Sequence, residues 1–141
     1  TDPRMTRFMI EIADAIRLVN TAIQGSVGGE VYVAKLKSMF VSDIFKAIYP
    51  NKKVEIVGIR PGEKLNEQMI AVEDAPCTYD AGLHYEILPI PVLGDDLFQL
   101  KKINLTPVSP DFCYASNTND AWMQASELIS WFDNDFDKLI M

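Results

Sequence analysis

The sequence predicts an α/β chain, α+β-like in detail: a small parallel sheet with helices packed on it. Three observations carry this. Two strand-then-helix patterns follow one another between residues 30 and 69. Apolar stripes at helical spacing precede them and close the chain. The apolar fraction, 48%, suits a packed core and is too high for a disordered chain.

Residues 5–10 read as an extended lead-in. A helix is expected over 11–24, because Ile12, Ile16, Val19 and Ile23 recur four, three and four apart. Gly25, Gly28 and Gly29 end it. Glu30–Ala34 is a short strand. Lys35–Met39 reads as a loop into a second helix, 41–49, with Phe40, Ile44 and Ile48 on one side and Pro50 as its stop. The β-branched run 54–59 reads as a strand pairing parallel with 30–34. Pro61-Gly62 breaks it in a type II turn, and a helix is expected from Lys64. Beyond residue 72 the pattern weakens. Tyr85–Leu88 is a short strand, and 89–111, with four prolines, is irregular. Asn117–Asp120 is a turn. A last helix starts near Gln124, with Leu128, Phe132, Phe136 and then Leu139 or Ile140 as its stripe and Met123 stapled to Leu128.

At 141 residues this is one domain or a piece of one. It is divided here into a binding portion, 1–88, and an irregular segment with the closing helix, 89–141. The net charge of −7 and the absence of a Lys/Arg cluster argue against a nucleic-acid partner. No stretch approaches the roughly 20 apolar residues of a membrane span. Cys77 and Cys113 read as ordinary thiols of a reducing compartment, so a cytoplasmic location is expected. The chain opens without Met and runs straight into a motif, as an excised or processed fragment would.

No catalytic apparatus is legible. His84 stands alone without a second metal ligand at useful spacing, so no metal site is expected. Gly25–Gly29 follows a helix rather than a strand and reads as a connector. Candidate binding residues remain. Arg60 and Glu63 flank the Pro61-Gly62 turn. A guanidinium there can fork two phosphate oxygens, and a carboxylate can accept from a sugar hydroxyl. The plainer alternative is a corner with Glu63 favoured by a helix N-terminus. Arg7 is either a second cation on the same diphosphate or a surface charge. Lys35 and Ser38 either line that cleft or belong to a solvated loop.

Three stretches resemble the inverting UDP-N-acetylglucosamine 4,6-dehydratases of the extended short-chain dehydrogenase family. They are Asp2-Pro3-Arg4-Met5-Thr6-Arg7-Phe8, then Gly29–Val33 with Lys35, Ser38 and Met39, then Ile56–Leu65 with its Arg-Pro-Gly-Glu-Lys-Leu core. Tyr114–Asn119 is similar to the end of the same family. The resemblance implies the carboxy-terminal, substrate-binding part of such an enzyme. Arg7 and Arg60 would face the diphosphate of a UDP-sugar, and Glu63 the ribose. NADP and the catalytic residues would belong to an amino-terminal Rossmann domain outside this sequence. The parent, a homo-oligomer, would oxidise sugar C4, eliminate water across C5–C6 and reduce C6 with inversion at C5, for surface glycan such as capsule. Glu11 and Gln124 depart from the family pattern, as does Ala75-Pro76-Cys77-Thr78. The alternatives are a stand-alone binding or oligomerisation module, part of a nucleotide-sugar 4-epimerase, or part of a membrane-anchored retaining relative.

Overall fold

A computed structural model describes residues 2–89 and 105–139, with side chains of the last helix described as far as Phe132. In chain order the elements are β1 (Thr6–Met9), α1 (Ile12–Gly25), β2 (Val31–Ala34), β3 (Lys37–Phe40), α2 (Val41–Ile48), β4 (Gln68–Ile70), a 3-10 turn (Val72–Cys77), β5 (Thr78–Asp80), β6 (His84–Ile87), β7 (Thr106–Pro107), β8 (Tyr114–Ala115) and α3 (Ala125–Leu139). They form two interleaved compact units. One comprises Thr1–Glu11, Leu36–Glu67 and Ala115–Met141; the other comprises Ile12–Lys35 and Gln68–Tyr114.

In the first unit β1 and β3 pair antiparallel, with Arg7 opposite Met39 and Phe8 opposite Ser38. Ahead of β1 the chain turns on Asp2. Its carboxylate accepts from the Arg4 backbone N–H and from Arg4 Nε, both at 2.9 Å. Those bonds hold the Asp2 carboxyl down to about 2. α2 follows β3 without a break; Asp43 in its first turn and Lys46 in its last complement its dipole. Pro50 ends it, because the residue before a proline is pushed out of the helical region. The core is Met39, Met123 and Leu128, with Met9, Ile44, Ala47 and Trp131 packed against it. Each such side chain, fully buried, contributes about 1.5–3 kcal/mol. Met123 and Leu128 share this cluster, at the start of the closing helix. Phe132 is exposed, and the side chains of Phe136, Leu139 and Ile140 lie outside the described residues.

In the second unit a four-stranded sheet runs β2-β6-β5-β7, and each of its pairings is antiparallel. Its buried residues include Val33, Ile70, Thr78, His84, Glu86 and Leu88. α1 packs on β2, and its half-buried positions include Ala15, Leu18 and Ala22. The other stripe of the same helix is uncovered: Ile12 is 81% exposed, Ile16 and Val19 56%, and Ile23 74%.

Three expectations are corrected. The parallel sheet does not form: β2 pairs antiparallel with β6, and 54–59 is not a strand. Gly58, at φ 74°, interrupts the extended run, and Ile56, Val57 and Ile59 stay exposed. β-Propensity reports fit to a paired, half-covered surface more than a backbone preference. The helix expected from Lys64 is irregular chain leading into β4. Tertiary hydrogen bonds take the backbone there: Thr6 N–H donates to Leu65 O at 3.1 Å, and Ser116 N–H to Glu67 O at 2.7 Å. The loop 35–39 is partly strand, since Lys37, Ser38 and Met39 belong to β3. Most of the irregular stretch 89–111, residues 90–104, lies outside the described residues.

Candidate functional site

Within the first unit Arg7, Arg60 and Glu63 meet around one cavity of about 370 Å³, which Met5, Val41, Ile44, Val57 and Gly58 also line. β1 supplies Arg7 and the turn supplies the other two. That turn forms as the sequence requires. Gly62 takes φ 85°, the positive value a type II turn needs at its third position. Glu63 N–H donates to Arg60 O at 3.0 Å. Glu63 Oε2 accepts from Arg60 N–H at 2.9 Å, so the turn is closed from both sides. No helix follows, so the helix-terminus alternative for Glu63 falls away.

The two arginines differ in their surroundings. Arg7 Nη1 donates to Thr6 O at 2.7 Å and to Leu65 O at 3.3 Å, and Nη2 donates to Lys64 O at 3.1 Å. Its Nε lies 3.5 Å from Glu67 Oε1. The Arg60 side chain is exposed and, among the described residues, makes no ion pair or hydrogen bond. An apolar floor with an unpaired guanidinium at its edge favours an anion carrying an apolar or aromatic group.

Beneath the site sits a group of buried hydroxyls that the sequence reading missed. Thr6 Oγ1 donates to Asn66 Oδ1 at 2.8 Å and lies 2.6 Å from Ser116 Oγ. Ser116 Oγ accepts from Glu67 N–H at 2.9 Å. The signal was a threonine between Met5 and the Arg7-Phe8 pair, in a stretch otherwise suited to core.

Ser38 is fully buried in β3, where its Oγ accepts from Asn119 Nδ2 at 3.0 Å. Lys35 belongs to the second unit. Its Nζ pairs with Asp80 Oδ1 at 2.7 Å and lies 4.7 Å from the Tyr85 ring centre. Burial pushes the Asp80 carboxyl up, but Lys35 and the Gly82 N–H outweigh it and hold the group below its usual range. His84 is a buried structural residue, stacked on Tyr32 and 3.1 Å from Glu86 Oε1.

A second cavity, about 460 Å³, is lined by Phe40, Trp122, Met123 and neighbours. Its one lysine, Lys46, is paired with Asp43 at 3.4 Å, so it offers less to an anion. The glycine connector does not fit a dinucleotide. Glu30 already occupies the Val27 and Gly28 N–H groups, each at 2.7 Å, and its charge would repel a pyrophosphate. Among the described residues no group of three or more metal-ligating side chains occurs.

The family model described as polysaccharide biosynthesis protein matches residues 1–88. An inverting UDP-N-acetylglucosamine 4,6-dehydratase of Campylobacter jejuni is 36% identical over 92% of this chain and 40% of its own length. A UDP-glucose 4-epimerase of Rickettsia canadensis is 34% identical over 69% of the chain and 29% of its length. The crystal structure of Pen from Bacillus thuringiensis superposes with a TM-score of 0.72 at 24% identity, over 95% of this chain and 39% of that one. The mixed helix-and-strand fold is thus shared with a solved protein. The chain spans two fifths or less of each of these relatives.

Proposed function

The chain belongs to the polysaccharide biosynthesis protein family, and from that premise we propose that it is the carboxy-terminal, nucleotide-sugar-binding part of an inverting UDP-N-acetylglucosamine 4,6-dehydratase. The observation that carries this is the unpaired Arg60 guanidinium beside the cavity that Arg7 and Glu63 also line. Arg60 takes the diphosphate through charge-assisted hydrogen bonds, roughly twice as strong as neutral ones. Arg7 adds a second positive charge to the same wall. Glu63 Oε1 is left to accept from the ribose while Oε2 closes the turn. Residues 1–88 carry the site and 89–141 complete the same domain. Ser38 contributes by fixing β3, and Lys35 by ordering the end of β2.

The catalytic groups and the NADP site belong to an amino-terminal Rossmann domain of the parent, where the cofactor supplies oxidation at C4 and reduction at C6. Two observations support a missing partner domain. The relatives are longer, and α1 leaves an apolar stripe uncovered that such a domain would bury. The parent is a cytoplasmic homo-oligomer serving surface glycan such as capsule. The 4-epimerase alternative has weaker support, because that relative matches less of the chain.

Titration of this chain and of the full-length parent with UDP-N-acetylglucosamine tests the reading. Both should bind, the parent should turn over, and Arg60→Ala should weaken binding about tenfold or more, the loss of a charged hydrogen bond. Unchanged affinity and turnover in that variant would remove Arg60 from the site. A folded chain and parent that both ignore the nucleotide would favour an assembly module.

A further inference from the structure

We propose that Ser116 is a positioning residue for nucleotide binding: from its place after β8 it pins the chain at Asn66 and Glu67, and so holds the Arg60–Glu63 turn at the cavity. The inference rests on the nucleotide-sugar reading above and deepens it. Ser116 is fully buried and does not line the cavity, so it cannot touch a ligand there. Its N–H and hydroxyl are turned on Glu67 instead. The Ser116 N–H donates to Glu67 O at 2.7 Å, and Ser116 Oγ accepts from Glu67 N–H at 2.9 Å. The same hydroxyl lies 2.6 Å from Thr6 Oγ1, with Thr6 O further off at 3.3 Å. Thr6 Oγ1 spends its own proton on Asn66 Oδ1 at 2.8 Å, so across the short contact Ser116 donates and Thr6 accepts. The bonds therefore run one way, from Glu67 N–H through Ser116 and Thr6 to Asn66. Aligned bonds of this kind polarise and strengthen one another.

Segment 54–67 needs an outside anchor. It has no helix or strand of its own among the described residues. The bonds from Glu63 N–H to Arg60 O and from Arg60 N–H to Glu63 Oε2 set the shape of the turn but not its place. Thr6 N–H to Leu65 O, and the Arg7 guanidinium to Lys64 O and Leu65 O, tie the segment to β1. Ser116 supplies the second side. It grips Glu67 directly and Asn66 through Thr6, from 49 positions beyond Glu67 along the chain. A segment held along one side can swing about that side, and one held from two cannot. A shift at Asn66 and Glu67 is carried back to Glu63 and Arg60 together. A binding constellation tolerates only about 0.5 Å of slack before its fit is lost, and supporting hydrogen bonds behind it set that slack.

The test uses the full-length protein carrying this chain, with Ser116→Ala, Arg60→Gln, the double variant and Thr78→Val. Thr78 is the control, a buried hydroxyl of the second unit that donates to Asp74 O at 2.8 Å. Binding of UDP is measured for each, with amide exchange at Glu67. Ser116→Ala should weaken UDP about fivefold to tenfold, the worth of a hydrogen bond or two. It should also speed exchange at Glu67, whose N–H loses its acceptor. Thr78→Val should keep wild-type UDP affinity, since a hydroxyl lost there costs stability alone. With Arg60→Gln already in place, Ser116→Ala should weaken UDP by a smaller factor than it does in the wild type, because a group it positions is gone. Wild-type UDP affinity in a folded Ser116→Ala protein would overturn the proposal. So would losses that multiply in full in the double variant, or an equal loss of affinity in Thr78→Val, since Ser116 would then serve stability only. If Ser116→Ala does not fold, Asn66→Ala, at the half-buried end of the same run of bonds, takes its place under the same criteria. Should the wild type bind no UDP, the nucleotide reading fails. Faster exchange at Glu67 in Ser116→Ala would then still establish the anchor, and unchanged exchange would remove it too.

Discussion

The two units of this chain leave different groups uncovered. Both pair charges internally, Arg7 with Glu67 and Lys46 with Asp43 in the first, Lys35 with Asp80 in the second; in the second Glu30 also takes the Val27 and Gly28 amides. What that unit leaves uncovered is apolar, the stripe Ile12, Ile16, Val19 and Ile23 on α1. In the first, a small methionine-rich core is closed by α3, and Arg60, without an ion pair among the described residues, stands beside a cavity. A surface that keeps a free guanidinium is suited to a small anionic ligand. A surface that keeps four aliphatic side chains at helical spacing is suited to polypeptide.

The sharpest way to break that contrast is to empty the first unit's core. Leu128→Ala should cost about 2–5 kcal/mol in urea unfolding, as a buried leucine truncated to alanine does. A loss under about 1 kcal/mol would mean that α3 does not close the unit. Next is the buried hydroxyl layer. Thr6→Val removes the hydroxyl partner of half-buried Asn66 Oδ1 and one of the partners of Ser116 Oγ, and should cost about 1 kcal/mol, the worth of a typical hydrogen bond. UDP affinity should fall with it. A stability loss with full affinity would separate the layer from the site.

A smaller effect lies at the chain's opening turn. The Asp2 carboxyl, held by Arg4, titrates at about 2 instead of 3.8. A folded-state value below the unfolded one adds stability that is present above about pH 4 and is lost as the pH falls through 2. Asp2→Asn should therefore flatten the acid limb of the unfolding curve between those values and lower stability at neutral pH, where the charged group contributes in full. An unchanged acid limb would show that the turn opens before the carboxyl protonates. The least effect is expected on α1. Ile16→Ser in the isolated chain should change stability by no more than about 0.5 kcal/mol, as exposed substitutions do. The same change in the full-length parent should be clearly destabilising. Equal, small effects in both would leave the stripe without a partner.

The three helices among the described residues were legible because their signals are local. α1 and α2 start and stop within a residue or two of where periodicity, Gly25 and Pro50 put them, and α3 starts one residue after Gln124. The Pro61-Gly62 turn was legible for the same reason: proline and glycine dictate their own backbone. The segments on either side of it were misread. Val54–Ile59 has the composition of a strand, but Gly58 breaks the run, and it joins no strand ladder among the described residues. Lys64–Glu67 has helix-forming residues, but Thr6, Arg7 and Ser116 claim its backbone groups from distant points of the chain. The meeting of Arg7, Arg60 and Glu63 at one cavity followed from the motif resemblance and not from spacing. The stripe on α1 was seen correctly as a stripe. Which face of the helix meets the sheet was not legible, because Ala15, Leu18 and Ala22 offer a second, flatter apolar side.

The buried Thr6 hydroxyl has a consequence for how β1 finds its alignment. A pair of four-residue strands is too short to choose among neighbouring offsets by side-chain packing alone, and a shift by one position turns every side chain to the opposite face. A slip in one direction would bring the Arg7 guanidinium, and in the other the Met5 thioether, to the pocket where the Thr6 hydroxyl meets Ser116 and Asn66. Neither replaces both hydrogen bonds of the threonine, so the hydroxyl favours the observed offset.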